Sequence, residues 1–378
     1  MKMSIRKEVK PSSWTLALLV LSISLSVVAA LYPHCSAINP RGLNVGVDFL
    51  GYVRVGEIVE GDLSQAFNVS GGSRPLIYLF IYGFQKLLGS DVSTAVMFLP
   101  VILNPLMVVG AFFLAFEAFG DWRLSSWAAF FTACGYQVTV GMYSYFLTNM
   151  LALSLVFLSL GFLFRSLRVG CNISLALASI LGILLVFTHP WTFDQYVVTT
   201  ILTIIVYFYR IRKESGWYEK ISGAIIYVVF LGFADFAKTL LFQGAGAFSA
   251  SLTAIRGISS LSEFLMNFIS SFRLLFGGIL SVVVLIGLAV LGVYLSGLGG
   301  FSEIYLTVFP VATSLLFLIG NGTIKSRLLY NVPIGLFAAI GMSSLLRWKV
   351  KDNFKKCMIF FVVLNLVVYL FRSLANLV

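Results

Sequence analysis

The chain is a succession of apolar runs, most of them as long as the roughly 18 to 20 residues a helix needs to cross a bilayer. They lie at about 14–31, 93–119, 122–140, 145–165, 173–188, 193–210, 219–240, 272–296, 299–320, 328–347 and 354–373. In hydrocarbon every backbone N–H and C=O must find a partner within the protein, so such runs fold as helices. The expected architecture is one all-α polytopic membrane domain over 1–378 with about eleven crossing helices. Only 11% of residues are charged, against about a quarter in soluble domains.

Topology follows from where the charges lie. The run 76–88 is short for a crossing and is punctuated by Pro75 at its start and Gly89 at its end, so it reads as an interfacial or re-entrant helix. With the N-terminus inside, sixteen of the 26 Lys and Arg fall on cytoplasmic segments, chiefly 1–13, 210–220 and 347–356. The same rule explains the net charge of +11 without nucleic acid, for no basic stripe is interleaved with stacking aromatics. Residues 32–92 and 241–271 then form external loops, the first carrying interfacial helices. The sequons at Asn68 and Asn321 fall on the external face and the one at Asn172 inside. Lys2, Arg6, Lys7 and Lys10 ahead of 14–31 resemble a signal peptide, but the run is long, so an uncleaved first helix is expected. Cys35, Cys134, Cys171 and Cys357 show no metal or disulfide spacing.

Against this apolar background, the polar segment from Asp48 to Pro75 marks where water-dependent chemistry belongs. As a helix it sets Asp48, Tyr52, Val55 and Val59 on one face, while Gly61-Asp62 ends it. The spacing fits either a carboxylate and phenol facing a membrane cavity or a solvated amphipathic helix. Elsewhere, His189 in Thr188-His189-Pro190-Trp191 stands at a span end with Asp194 five residues on. It could hydrogen-bond a phosphate or pair with Asp194. Asp235 and Lys238 are spaced to pair at i, i+3, or Lys238 adds positive potential to a cavity.

The pattern Asp48-x3-Tyr52-x8-Gly61-Asp62 just after the first span resembles the first external loop of the GT-C glycosyltransferase superfamily. That superfamily includes polyprenyl-phosphate-sugar-dependent protein mannosyltransferases, oligosaccharyltransferases and lipid A aminoarabinose transferases. The helix from Arg74-Pro75-Leu76-Ile77-Tyr78 to Leu88-Gly89 is similar, as is the late span carrying Arg327 and Pro333. The resemblance implies a membrane enzyme that moves a hexosyl or related sugar from a polyprenyl-phosphate carrier to a glycan, lipid or protein acceptor. It would work on the external face of the cell membrane. Asp48 would act on the acceptor as base or as ligand of a divalent cation. Arg327, with His189, would bind the donor phosphate, and Tyr52, Arg74, Tyr143, Asn149 and Lys238 would support them.

One departure matters. Many members carry a second acid in the external turn after the third span, whereas Gly141 to Asn149 holds no carboxylate. Tyr143 or Asn149 could serve as a polar ligand, but neither is a base near neutral pH. The departure puts the divalent cation in doubt and leaves open a catalytically silent partner subunit. A lipid-linked-sugar flippase would need charged groups near the midplane of several spans, and these are nearly absent.

Overall fold

The computed structural model describes residues 11–242, 260–276, 282–319, 322–349 and 351–375. Among them there is no strand. Ser13–Leu31 forms α1, started by the Ser12 hydroxyl, which accepts from the Thr15 N–H. Phe49–Gly61 (α2) and Pro75–Leu88 (α3) follow, α3 opening on a proline and closing at Gly89 in the left-handed region. Val92–Phe98 (α4) and Pro100–Phe119 (α5) run on as one nearly continuous stretch. Trp122–Ala133 (α6), Tyr136–Ser144 (α7) and Leu147–Val169 (α8) come next. Asn172–Val186 (α9), Pro190–Ile211 (α10) and Trp217–Leu241 (α11) complete the first two-thirds. The remainder is Leu261–Phe276 (α12), Val283–Leu295 (α13), Phe301–Ile319 (α14), Gly322–Tyr330 (α15), Ile334–Leu346 (α16) and Asp352–Ala375 (α17).

Among the described residues, seven helical stretches are long and apolar enough to cross a membrane: Ser13–His34, Val92–Phe119, Leu147–Val169, Pro190–Ile211, Trp217–Leu241, Lys325–Leu346 and Asp352–Ala375. Pro75–Leu88, Asn172–Val186, Val283–Leu295 and Phe301–Leu315 are apolar but shorter. The expected eleven crossings are thus not eleven long helices. The run 122–140 is divided at Cys134–Gly135 into α6 and α7, and the run from 328 is interrupted between α15 and α16. Residues 277–281 of the run 272–296, residues 243–259 of the second expected loop, and Asn321 lie outside the described residues.

The core is α8 packed on α5, with α6 and α16 beside them; nearly every residue of α6 and α8 is buried. Helices α1, α11 and α17 turn exposed apolar side chains such as Val20, Phe233 and Phe360 outward, as a lipid-facing shell requires. A close crossing joins α13 to α16. A Cβ at Gly292 would overlap the Phe337 carbonyl, and one at Gly341 would overlap the Leu288 carbonyl. Such contact is the small-residue mode by which helices approach in lipid. At the end of the bundle remote from α2, the buried Glu117 carboxylate is ion-paired with Arg168 and, at 3.7 Å, with Arg165. Arg347 holds Asp121 at 3.2 Å.

Candidate active site

Asp48 owes its place to the backbone around it. The Val47 N–H donates to the Tyr143 carbonyl (3.1 Å) and the Asp48 N–H to the Ser144 carbonyl (3.2 Å), fastening the start of α2 to the end of α7. Such close approach needs Gly46, whose φ is +92° and whose absent Cβ would stand 2.5 Å from Tyr145 Cδ2. Tyr145 itself sits in the left-handed region (φ 55°), held by a hydroxyl that reaches the carbonyls of Val96 (3.0 Å) and Met97 (3.1 Å). Asp48 is the N-cap residue of α2 but makes no capping bond, so its carboxylate is left for other partners. The buried stripe of α2 is Phe49, Tyr52, Gly56 and Val59, a correction of one step to the expected face, with Asp48 at its rim.

Tyr52 joins α2 to α8. Its hydroxyl lies 2.6 Å from Thr148 Oγ1 and accepts from the Thr148 N–H at 3.3 Å. Burial raises its pKa above the ordinary value, so it remains a phenol near neutral pH.

Arg327 meets Asp48 from the other side, with Nη2 3.5 Å from Oδ2. Its guanidinium carbon lies 3.3 Å from the centroid of the Phe146 ring, and Nη1 is buried with no hydrogen-bond partner. Arg327 is presented by α15 one turn before the chain breaks at Asn331–Pro333. Pro333 supplies no N–H, and carbonyls freed at such a break need partners at membrane depth. The Tyr136 hydroxyl stands 2.7 Å from the Leu329 carbonyl and 2.8 Å from that of Val332, to which Gln137 Nε2 also donates (2.6 Å). The Tyr196 hydroxyl donates to the Asn331 carbonyl (2.9 Å). Asn331 Nδ2 donates to Gln195 Oε1 (3.0 Å), and Gln195 Nε2 donates to the Leu328 carbonyl (3.1 Å).

The third wall is the turn before α10. The His189 ring is fully buried and caps α10: Nδ1 accepts from the Thr192 N–H at 3.3 Å, which puts the single ring proton on Nε2. Burial, reinforced by Arg74 and then Arg327, holds its pKa well below the ordinary 6.5, so the imidazole is neutral. Its Nε2 has no partner. Trp191 packs edge-on against it, ring centroids 5.6 Å apart, and Arg74 lies 5.8 Å from the Trp191 ring. Trp191 Nε1 and Arg74 Nε are likewise buried without partners. Arg74, Trp191, His189 and Arg327 therefore each bring an N–H group that none of the described residues satisfies. Such orphans are rare, and several in one place mark where an anion fits.

Lys238 takes a different part from adding charge to the cavity. Its Nζ donates to the carbonyls of Ser73 (3.0 Å) and Val186 (2.8 Å), tying the residue before Arg74 to the turn before His189. Asn149 is buried within the break, with Nδ2 3.5 Å from Asn331 Oδ1, and Tyr143 points outward, 46% exposed. Neither joins Asp48 in a ligand set. Among the described residues no group of three His, Cys, Asp or Glu side chains could hold a metal ion. The carboxylate that would anchor one faces a guanidinium instead.

Phe146, Tyr136 and Gln195 carry no signal in the sequence that marks them as site residues. Trp191, at a span end, reads either as part of an interfacial aromatic belt or as a stacking platform for a sugar ring.

No family model matches the sequence, and no curated protein matches it. Solved structures do. The oligosaccharyltransferase of Archaeoglobus fulgidus in its apo form superposes with a TM-score of 0.60 at 14% identity, over 98% of this chain and 56% of its own length. The same enzyme tethered to an acceptor peptide containing the NVT sequon gives 0.59 at 13% identity, over 96% and 55%. ArnT from Cupriavidus metallidurans bound to undecaprenyl phosphate gives 0.58 at 12% identity, over 96% and 74%. This chain therefore has the fold of the GT-C membrane glycosyltransferases and spans little more than half the length of the oligosaccharyltransferase.

Proposed function

We propose that this chain is a membrane glycosyltransferase that moves a sugar from a polyprenyl-phosphate-linked donor to an acceptor. The observation that carries the reading is the meeting of one carboxylate, Asp48, with four buried, unsatisfied N–H donors on Arg74, His189, Trp191 and Arg327. ArnT, of the same fold, was captured with undecaprenyl phosphate, and the oligosaccharyltransferase with an acceptor peptide. By the distribution of Lys and Arg, the site faces outward across the cell membrane, with the N-terminus in the cytoplasm.

In this reading the donor phosphate lies against the two guanidiniums, His189 Nε2–H and Trp191 Nε1–H. Asp48 takes the proton of the acceptor nucleophile as that nucleophile attacks the anomeric carbon. Negative charge grows on the departing phosphate oxygen, and donors fixed in advance stabilise it without reorganisation. Arg327 touches both partners, so it aligns the base with the leaving group.

Asp48→Asn tests the reading. General-base catalysis contributes about 10²- to 10⁴-fold, so transfer of labelled sugar should fall by at least the lower figure while expression and thermal stability stay near wild type. Wild-type turnover would remove Asp48 from the mechanism. Movement of lipid-linked sugar across proteoliposomes with no glycosylated product would instead identify a flippase.

A further inference from the structure

Resting on the reading above, we infer that the Asp48–Arg327 pair is a latch, which the donor must open before Asp48 can act on an acceptor. The two members of the pair have rival partners. Arg327 Nη2 stands 3.5 Å from Asp48 Oδ2, while Nη1 of the same guanidinium is buried with no partner. The Phe146 ring, its centroid 3.3 Å from the guanidinium carbon, covers one face and limits the motion left to it. One edge of Arg327 is therefore taken by Asp48 and the other is open. Asp48 has little else to hold it. It makes no capping bond to α2, and among the described residues its carboxylate enters no other ion pair.

The open edge lies with the stronger claim. A guanidinium fork matches two oxygens of one anion better than single oxygens of two. The buried, unsatisfied N–H groups of Arg74, His189 and Trp191 belong to the same site and favour the same anion. Arg74 and His189 are also the N-cap residues of α3 and α10, whose starts are joined by the Leu76 N–H donating to the Phe187 carbonyl at 3.0 Å. The positive ends of two helix dipoles thus stand beside these donors. A donor phosphate that reaches them competes for Arg327 with many allies, and Asp48 competes alone.

The cycle then orders itself. In the empty site Asp48 Oδ2 is occupied by the guanidinium. A bound donor draws Arg327 to its phosphate and frees Oδ2 for the acceptor nucleophile. The bond from the anomeric carbon to the phosphate oxygen breaks, and a bond from that carbon to the nucleophile forms. The nucleophile's proton passes to Asp48, and the phosphate gains one negative charge. Neutral Asp48 has no hold on Arg327, so the carrier phosphate keeps it. Asp48 next gives its proton to water, which a 42% exposed side chain permits, and the restored carboxylate takes Arg327 back as the carrier leaves. The base is thereby presented only beside a bound donor, and carrier release waits for the base to reset.

A double-mutant cycle on carrier binding tests the latch. Farnesyl phosphate is titrated onto the purified full chain in detergent, as wild type, Asp48→Asn, Arg327→Gln and the double variant. Removing the rival carboxylate should tighten binding by about fivefold or more, the lower end of ordinary coupling between sites. In the Arg327→Gln background the same substitution should change little, because no guanidinium remains to be released. An equal gain in both backgrounds would mean plain repulsion between Asp48 and the phosphate, and overturns the latch. So does the lack of any gain in either. In both cases the transferase reading stands, since it rests on loss of transfer in Asp48→Asn. Failure of farnesyl phosphate to bind wild type and Asp48→Asn alike overturns the latch and the reading together. Melting curves establish that each variant is folded, and Asp48→Ser takes the place of Asp48→Asn if the latter is not.

Discussion

Asp48 Oδ2 and Arg327 Nη2 lie 3.5 Å apart, although one residue follows the first helix and the other lies in the last third of the chain. The pair places the carboxylate proposed to activate the acceptor within reach of the cation proposed to receive the leaving group. It also explains why Arg327 does not snorkel to the surface: its side chain is 15% exposed, held between Asp48 and the Phe146 ring.

Arg327→Ala should cut kcat/KM for the donor by about 10²- to 10³-fold, the usual cost of losing one preorganised group at developing charge. Arg327→Lys should recover little, since an ammonium neither stacks on Phe146 nor forks toward two oxygens. Donor-saturation kinetics that match wild type in the alanine variant would leave Arg327 a purely structural residue.

The depressed pKa of His189 has a sign that can be checked. The folded state keeps the ring neutral, whereas the unfolded chain takes up a proton near pH 6.5, so the unfolded state binds more protons below that value. Stability should fall as pH drops below about 6.5 and level off once the folded ring protonates. His189→Gln should flatten the acid limb of the melting temperature. An unchanged slope in that variant would assign acid lability elsewhere.

Lys238→Met removes the strut between Ser73 and Val186, and losing a donor to a buried carbonyl costs about 1–3 kcal/mol. Melting should shift down, and donor KM should rise through displacement of Arg74 and His189, neither of which is altered. Lys238→Arg keeps a donor and should restore KM more than Met does. A stability loss with donor KM unmoved would confine Lys238 to folding.

Gly46→Ala should misplace Asp48, because the added Cβ meets the Tyr145 ring in a backbone conformation that L-residues adopt at a cost of about 1–3 kcal/mol. Transfer should fall more than stability. Gly51→Ala, on the open side of α2, meets nothing and should be neutral or stabilising by about 0.5–1 kcal/mol. Equal effects of the two substitutions on transfer would dissociate the Gly46 turn from the site.

The charged members of the site were legible because charge is expensive beside hydrocarbon. Asp48, Arg74 and Arg327 stand out from the apolar runs that flank them, and His189 is one of only two histidines. The geometry that unites them was not legible. Hydropathy does not register the Gly135 division between α6 and α7, and Pro333 within an apolar run says nothing about which remote side chains will satisfy the freed carbonyls. Tyr136, Gln137 and Tyr196 do so from helices far away in sequence. Lys238 was readable as a cation but not as a strut, since its partners are backbone carbonyls, and every residue offers one. The second acid was legible only as missing; that Arg327 stands beside Asp48 required the fold.

The glycine-lined crossing of α13 and α16 leaves these two helices no room to slide, so they behave as a single beam fixed in the bundle. Arg327 hangs from that beam by the three-residue joint at Asn331–Pro333. Any travel of the guanidinium as a phosphate arrives or departs must then be a swing about that joint, limited by the tethers from Tyr136, Gln195 and Tyr196. The proposed phosphate contact and the tight helix packing in this way fall at opposite ends of one interrupted rod.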